Sequence, residues 1–220
     1  ADTTMARYSY QEKLTAFANG EYDILLGTQM VAKGLDFPRV TLVGIISIDQ
    51  QLYNDDFRSS EKAFDLLTQV IGRSGRGECE GKAYIQTVLP DNDIIELSAA
   101  QDYESFYKTE SIIRKSMVYP PYCDICTVTF TSEQNNKAYS GSKAFFEMLK
   151  EAVSTDYSDV KINVLGPIQP RVGKISNKFR YVLTIKCKNN KRFRSMMSDL
   201  LIKYMRTSQN SGVSAVIDMN

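Results

Sequence analysis

The sequence predicts an α/β protein in two parts, a parallel-sheet unit over residues 1–116 and a basic α+β unit over residues 117–220. Three observations predict it. Short apolar runs alternate with helix-spaced stretches through the first half, the pattern of a sheet covered by helices. Two adjacent prolines, Pro120 and Pro121, break the chain near its middle, and the first restricts Tyr119 to extended backbone. The charge also changes sign there: residues 1–116 carry 12 basic and 18 acidic side chains, a net −6, and residues 117–220 carry 15 and 8, a net +7. At 220 residues the chain has room for one or two domains.

In the first part, Leu14, Phe17 and Ala18 sit at helical spacing, and Gly20 stands where a helix would end. Tyr22 to Gly27 (YDILLG) reads as a strand buried on both faces, as does Val40 to Ile48 (VTLVGIISI). Glu61 to Ile71 predicts a helix with Phe64, Leu67 and Ile71 on one face, and Lys82 to Val88 a further strand. One or two helices follow over 93–116. In the second part, Cys123 to Thr131 is a strand and Asn136 to Val153 a helix with Ala138, Phe145, Met148, Leu149 and Ala152 on one stripe. Lys161 to Leu165 is a strand closed by Gly166-Pro167, and Arg180 to Lys186 another. Lys191 to Arg206 is a helix burying Phe193, Met196, Met197, Leu200, Leu201 and Tyr204, and Val213 to Asp218 the last strand. The order β-α-β-β-α-β is the split, ferredoxin-like arrangement.

Composition excludes several classes. There is no histidine, which removes Ser-His triads, histidine bases and histidine metal ligands. The longest strongly apolar run, VTLVGIISI, is far short of the ~20 residues a membrane helix needs. No apolar leader core is visible near residue 1, and four cysteines in 220 residues do not make a disulfide scaffold, so a reducing cytoplasm is the expected compartment. Cys123 and Cys126 form a C-x-x-C pair without a second pair, and residues three apart on a strand face opposite ways, so no metal site is expected.

Two stretches could carry chemistry. The first, Gly27-Thr28-Gln29-Met30-Val31-Ala32-Lys33-Gly34-Leu35-Asp36-Phe37-Pro38, follows an apolar run and would lie beyond the carboxyl end of a parallel strand, where such sheets bind ligands. Thr28 offers a hydroxyl and an N–H to a phosphate oxygen, Gly34 allows close backbone approach, and Asp36 could accept from a ribose hydroxyl. The second, Gln69-Val70-Ile71-Gly72-Arg73-Ser74-Gly75-Arg76, places two guanidinium groups in a glycine-rich segment at a helix end, a flexible clamp for phosphate. Taken singly, the first also fits a polar surface loop and the second a solvated helix terminus.

Together they resemble motifs V and VI of superfamily 2 helicases, and within them the replication-restart helicases. Asp2-Thr3-Thr4, Asp56-Phe57-Arg58-Ser59 with Glu61, Pro120-Pro121, Leu165-Gly166-Pro167 and Val216-Ile217-Asp218 extend the resemblance over essentially all the chain. It implies a partial RecA-like second lobe followed by the ferredoxin-like domain. It also implies that Thr28, with Gln29 and Lys33, contacts the DNA backbone. Gly34, Asp36 and Gly72 would border ATP, and Gln69, Arg73 and Arg76 would face its phosphates, Arg76 as the arginine finger. Ile71 stands where that family often has Ala. The chain has no G-x-x-x-x-G-K-[ST] loop, no DEAH-type motif and no eight-cysteine zinc insert. It therefore reads as the C-terminal part of a longer protein whose first lobe holds ATP and Mg²⁺ and whose zinc lies elsewhere, and alone it is not expected to hydrolyse ATP.

Charge supplies the last expectation. From Arg171 to Arg206 there are eleven basic residues and a single acidic one, Asp199. Arg171, Lys174, Lys178 and Arg180 are expected on a hairpin with turn residues Gly173 and Asn177, suited to DNA phosphates, with Phe179 or Tyr181 stacking on bases and the other in the core. Lys191, Arg192 and Arg194, at a helix start, would take carboxylates. The resemblance implies forked or single-stranded DNA, primosome proteins and the acidic tail of single-stranded-DNA-binding protein as partners, and no membrane. Two rival readings remain: a motor-less junction-binding platform, and a metabolic enzyme with a small regulatory domain.

Overall fold

The computed structural model describes residues 2–28, 37–72 and 81–219. The chain divides into two units, Ala1–Glu110 and Ser111–Asn220. In the first, α1 (Asp2–Asn19) ends at Gly20, whose φ of +82° is the left-handed conformation glycine adopts without cost. The Gly20 N–H donates to Phe17 O (3.0 Å) and the Glu21 N–H to Ala16 O (2.9 Å), closing the helix's free carbonyls. β1 (Leu42–Ile45) and β2 (Lys82–Ile85) pair in parallel, Leu42 opposite Lys82 and Ile45 opposite Ile85. Between them lie α2 (Asp49–Leu52) and α3 (Ser59–Ile71), and after them α4 (Asp93–Ala99) and α5 (Tyr103–Ser116), which continues past Glu110 into the second unit.

The core of this unit is small. Ile45 and Ile48 pack with Ala63 and Leu67 of α3 and Ile95 of α4. Phe64 stacks on Phe106 of α5 with ring centroids 4.2 Å apart. The YDILLG stretch corrects the sequence reading. It forms no strand, and Ile24 and Leu26 are each 84% exposed. Apolar composition marks a segment for burial, but a strand exists only through a hydrogen-bonded neighbour, and among the described residues it has none.

The second unit contains β3 (Asp124–Ser132), α6 (Asn135–Ser154), β4 (Asn163–Ile168), β5 (Lys174–Ile175), β6 (Lys178–Cys187), α7 (Lys191–Arg206) and β7 (Ser214–Met219). The sheet order is β4-β6-β3-β7, every pair antiparallel, with β5 added to β6 as a hairpin. This is the split β-α-β-β-α-β topology, with the two strands that precede helices at the centre. Along β3 and β6 the pairs Cys126–Ile185, Val128–Leu183 and Phe130–Tyr181 lie on one face, and Cys126, Val128, Leu183 and Ile185 are fully buried there with Phe145, Leu149, Phe193 and Leu200 of the two helices. Asn190 caps α7 by accepting from the Phe193 N–H at 2.8 Å.

Two details differ from expectation. Gly166-Pro167 does not close β4; the strand runs through it across an irregularity in pairing between Leu165 and Ile168. Gly166 has φ +101°, and a Cβ there would lie 2.6 Å from Val182 O, so the irregularity needs glycine. Phe179 and Tyr181 do not divide between core and surface. They are two residues apart on β6, hence on the same face, and both are half-buried.

Candidate functional site

The helix-end motif is carried by α3, and the turn before it fixes where α3 starts. Ser59 Oγ donates to Asn54 O (2.7 Å) and Asp56 O (2.6 Å), and the Arg58 N–H donates to the Asp56 carboxylate at 3.0 Å. Burial pushes the Asp56 carboxyl up, but the hydrogen bonds from Lys62 and the Arg58 N–H, with the charges of both residues, outweigh it and leave the group below its ordinary value. The Arg58 guanidinium lies 4.9 Å from the centroid of the Phe57 ring. About three turns on, α3 presents Gln69 exposed and ends at Gly72, whose N–H donates to Thr68 O at 3.0 Å. The structure therefore brings Gln69 and Gly72 to one helix end; Arg73 and Arg76 lie outside the described residues.

Thr28 is exposed at the end of the YDILLG stretch, and Gln29, Lys33, Gly34 and Asp36 lie outside the described residues. The chain is anchored again at Phe37, whose ring meets Phe17 of α1 edge-on at 5.0 Å, and Arg39 donates to Ala18 O at 2.5 Å. Asp49 is a residue that the sequence reading missed. Just past the carboxyl end of β1, its carboxylate accepts from Thr87 Oγ1 (2.8 Å) and the Val88 N–H (3.3 Å), so it clasps the exits of both parallel strands. An acid closing the VTLVGIISI run was the available signal.

In the second unit the expected basic hairpin forms. Ser176 (φ +47°) and Asn177 (φ +63°) make its two-residue turn, the twist-matched type with both central residues left-handed, so Ser176 takes the place expected for Gly173. Arg171, Lys174 and Lys178 are exposed on it and Arg180 is half-buried. Lys186, part of the same basic run, is withdrawn from solvent: it is 8% exposed, donates to Met117 O at 2.6 Å and sits 3.7 Å from the Tyr119 ring centroid. A buried ammonium held by a carbonyl and a ring is satisfied where it stands.

The cluster at the start of α7 also separates. Arg192 is committed internally: its Nε donates to both Asp159 carboxylate oxygens at 3.2 Å, its Nη2 to Asp156 O, and its guanidinium lies 4.3 Å from the Tyr157 ring centroid. Tyr157 donates in turn to the Asp199 carboxylate, which holds the phenol above its ordinary pKa. Lys191 and Arg194 are exposed and line a shallow hollow with Ser195, Ser198 and Asp199. Burial pushes the Cys126 and Cys187 thiols up to about 12, and no group of three or more metal-ligating side chains occurs among the described residues. No helix there is long and apolar enough to cross a membrane.

Comparison with known proteins gives this arrangement its class. Residues 2–78, within the first unit, match the helicase conserved C-terminal domain. Residues 115–220 match the primosomal protein N C-terminal domain. With both domains in this order, the chain is similar throughout to the C-terminal part of proteins named replication restart protein PriA. It is 41% identical over 219 residues to the replication restart protein PriA of Bacillus subtilis, covering 100% of this chain and 27% of that protein. It is 35% identical over 220 residues to that of Chlamydia muridarum, covering 100% and 28%, and 38% identical over 167 residues to that of Rickettsia felis, covering 76% and 24%. The chain thus spans just over a quarter of the length of the first two of these relatives. A solved hydantoinase/carbamoylase family amidase from Burkholderia ambifaria, at TM-score 0.33 and 13% identity over 44% of this chain and 27% of that one, is too dissimilar to carry an argument.

Proposed function

We propose that the chain is the C-terminal portion of an ATP-dependent DNA helicase that recognises stalled or abandoned replication forks and restarts replication by assembling a primosome. The observation that carries this reading is the succession of two matched segments on one chain, the first ending two residues beyond Arg76. In this reading Arg76 reaches the γ-phosphate as charge develops, Arg73 supports it, and Gln69 borders the phosphates from the exposed end of α3. The α3 terminus itself is the negative end of a helix with no basic residue in its last turn. Affinity for a triphosphate there depends on the two guanidinium groups that follow. Gly34, Asp36 and Gly72 line the nucleotide, and Thr28 with Gln29 and Lys33 grips the DNA backbone. ATP and Mg²⁺ are the cofactors, held mainly by the first lobe of the longer protein.

The second unit supplies recognition. Arg171, Lys174, Lys178 and Arg180 on the β5–β6 hairpin neutralise phosphates of forked or single-stranded DNA. Lys191 and Arg194, which form no ion pair among the described residues, take the carboxylates of the acidic tail of single-stranded-DNA-binding protein. Arg192 acts there by holding the helix start in place. The protein works in the cytoplasm with other primosome proteins.

The test is made in the full-length protein. Arg76→Ala is expected to lower DNA-stimulated ATP hydrolysis by ~10³-fold or more while fork affinity stays within about two-fold. The 220-residue chain alone is expected to turn over no ATP. Retention of more than about a tenth of the wild-type rate by Arg76→Ala removes the finger assignment. A full-length protein that binds forks yet never hydrolyses ATP would be a junction-binding platform instead. Unchanged binding of the acidic tail peptide by Lys191→Glu with Arg194→Glu would overturn that partner site.

A further inference from the structure

We infer that one end of the second unit, formed by the β5–β6 hairpin and the first turns of α6, is a track for unpaired, single-stranded nucleic acid, with a base stacked on Tyr139. The inference rests on the reading that this unit binds DNA and says which form of DNA it takes.

The track begins with a ladder of rings and ammonium groups contributed by three elements. Lys174 and Phe179 are cross-strand partners, and the Lys174 ammonium lies 4.8 Å from the Phe179 ring centroid. Tyr181 is two residues further along β6, on the same face and about 7 Å away. Its ring lies 5.2 Å from Tyr139 of α6, the planes tilted by 48°. One helical turn beyond, the Lys143 ammonium stands 5.1 Å from the Tyr139 centroid. The order through space is therefore Lys174, Phe179, Tyr181, Tyr139, Lys143.

The inner rings are fixed and the outer one is presented. Tyr181 is opposite buried Phe130 and donates to Asn135 Oδ1 at 3.2 Å, so it has one ring position. Tyr139 leans on it and is 40% exposed, which leaves a flat apolar surface at a prepared place. The two lysines cover ring faces only through weak contacts at exposed sites, so a base can displace them onto its flanking phosphates at little cost.

Charge selects the occupant. Segments 133–143 and 171–181 carry Lys137, Lys143, Arg171, Lys174, Lys178 and Arg180 against one carboxylate, Glu133. None of these six cations is in an ion pair among the described residues. An acidic peptide would need the cations but not the rings. A duplex would also meet the cations, but its base faces are stacked away. Single-stranded nucleic acid alone uses both, and stacking on a ring tolerates any base.

The experiment is fluorescence anisotropy with the 220-residue chain and four probes: labelled (dT)20, an abasic 20-mer of equal charge, a 20-base-pair blunt duplex, and polyglutamate of matched charge. The wild type is expected to bind (dT)20 about ten-fold more tightly than the abasic strand or the polyglutamate. Tyr139→Ala should erase that preference and Tyr139→Phe retain it, with duplex affinity changed less than about two-fold and thermal unfolding unmoved. Lys143→Ala should reduce the slope of log affinity against log salt for (dT)20 by about 0.7. Equal binding of (dT)20, abasic strand and polyglutamate, or a preference untouched by Tyr139→Ala, overturns the track and leaves the DNA-binding reading standing. Failure of the chain to bind any DNA overturns both.

Discussion

The two units bury their sheets differently. In the second, Cys126, Val128 and Phe130 of the central strand are fully buried and two amphipathic helices close the face they lie on. In the first, Val43 and Ile45 pack towards α3, while Leu42 (61% exposed), Ile46 (72%) and Tyr84 (64%) on the opposite face are bare among the described residues. Antiparallel sheets tolerate one wet face, whereas parallel sheets are ordinarily covered on both. The second unit is thus closed with respect to its own core. The first displays a surface whose composition is that of an interior.

The sharpest test of that contrast is a pair of substitutions. Phe130→Ala removes a ring packed 5.4 Å from Phe145 and 5.8 Å from Tyr204, and is expected to cost about 3–5 kcal/mol. Leu26→Asn, at 84% exposure, is expected to change stability by less than about 0.5 kcal/mol and to lower binding of an apolar dye. Urea unfolding with dye titration measures both, and a large cost at Leu26 would show that this stretch is covered after all.

A smaller effect is expected at Tyr204, whose hydroxyl is buried with no hydrogen-bond partner among the described residues and faces Gly141. Tyr204→Phe should be neutral or stabilising by about 1 kcal/mol at pH 7. Burial pushes the wild-type phenol up to about 12, above its ordinary 10. The folded state therefore keeps a proton the unfolded state loses, and stability falls as pH rises from about 10 to about 12. Thermal unfolding across that range should show a shallower decline for Tyr204→Phe.

The smallest effect belongs to the first unit. Asp56 has its pKa lowered in the folded protein, so its contribution is complete above the unfolded carboxylate value and is lost as pH falls through the folded one. Asp56→Asn should flatten that acid limb, and Lys62→Met should flatten it in part, as read from unfolding midpoints between about pH 2 and pH 5.

Much of the second unit was legible because its signals are local. The six buried positions expected on Lys191–Arg206 hold at Phe193, Met196, Met197, Leu200 and Tyr204, with Leu201 half-buried, since helical periodicity depends only on near neighbours. Less was legible in the candidate sites. Eleven cations between Arg171 and Arg206 look equivalent on paper. Folding buries Lys186 under Tyr119, ties Arg192 to Asp159, and leaves Lys174, Lys178 and Arg194 facing water. Tyr139 and Tyr181 drew no attention as a pair, because nothing in a separation of 42 positions announces that their rings meet.

By itself, the sequence determined the element order of the second unit, the helix end marked by Gly20, the charge division near Pro120-Pro121, and the paired motifs that carry the resemblance to a helicase family. Only the tertiary structure decided that YDILLG stands without a strand partner, that β4 continues through Gly166, which cations remain free, and which rings form a ladder. The physical reason is range. Helical propensity, capping and motif chemistry are written within a few residues, whereas sheet pairing, burial of a charge and ring contacts are set by residues brought together from far along the chain.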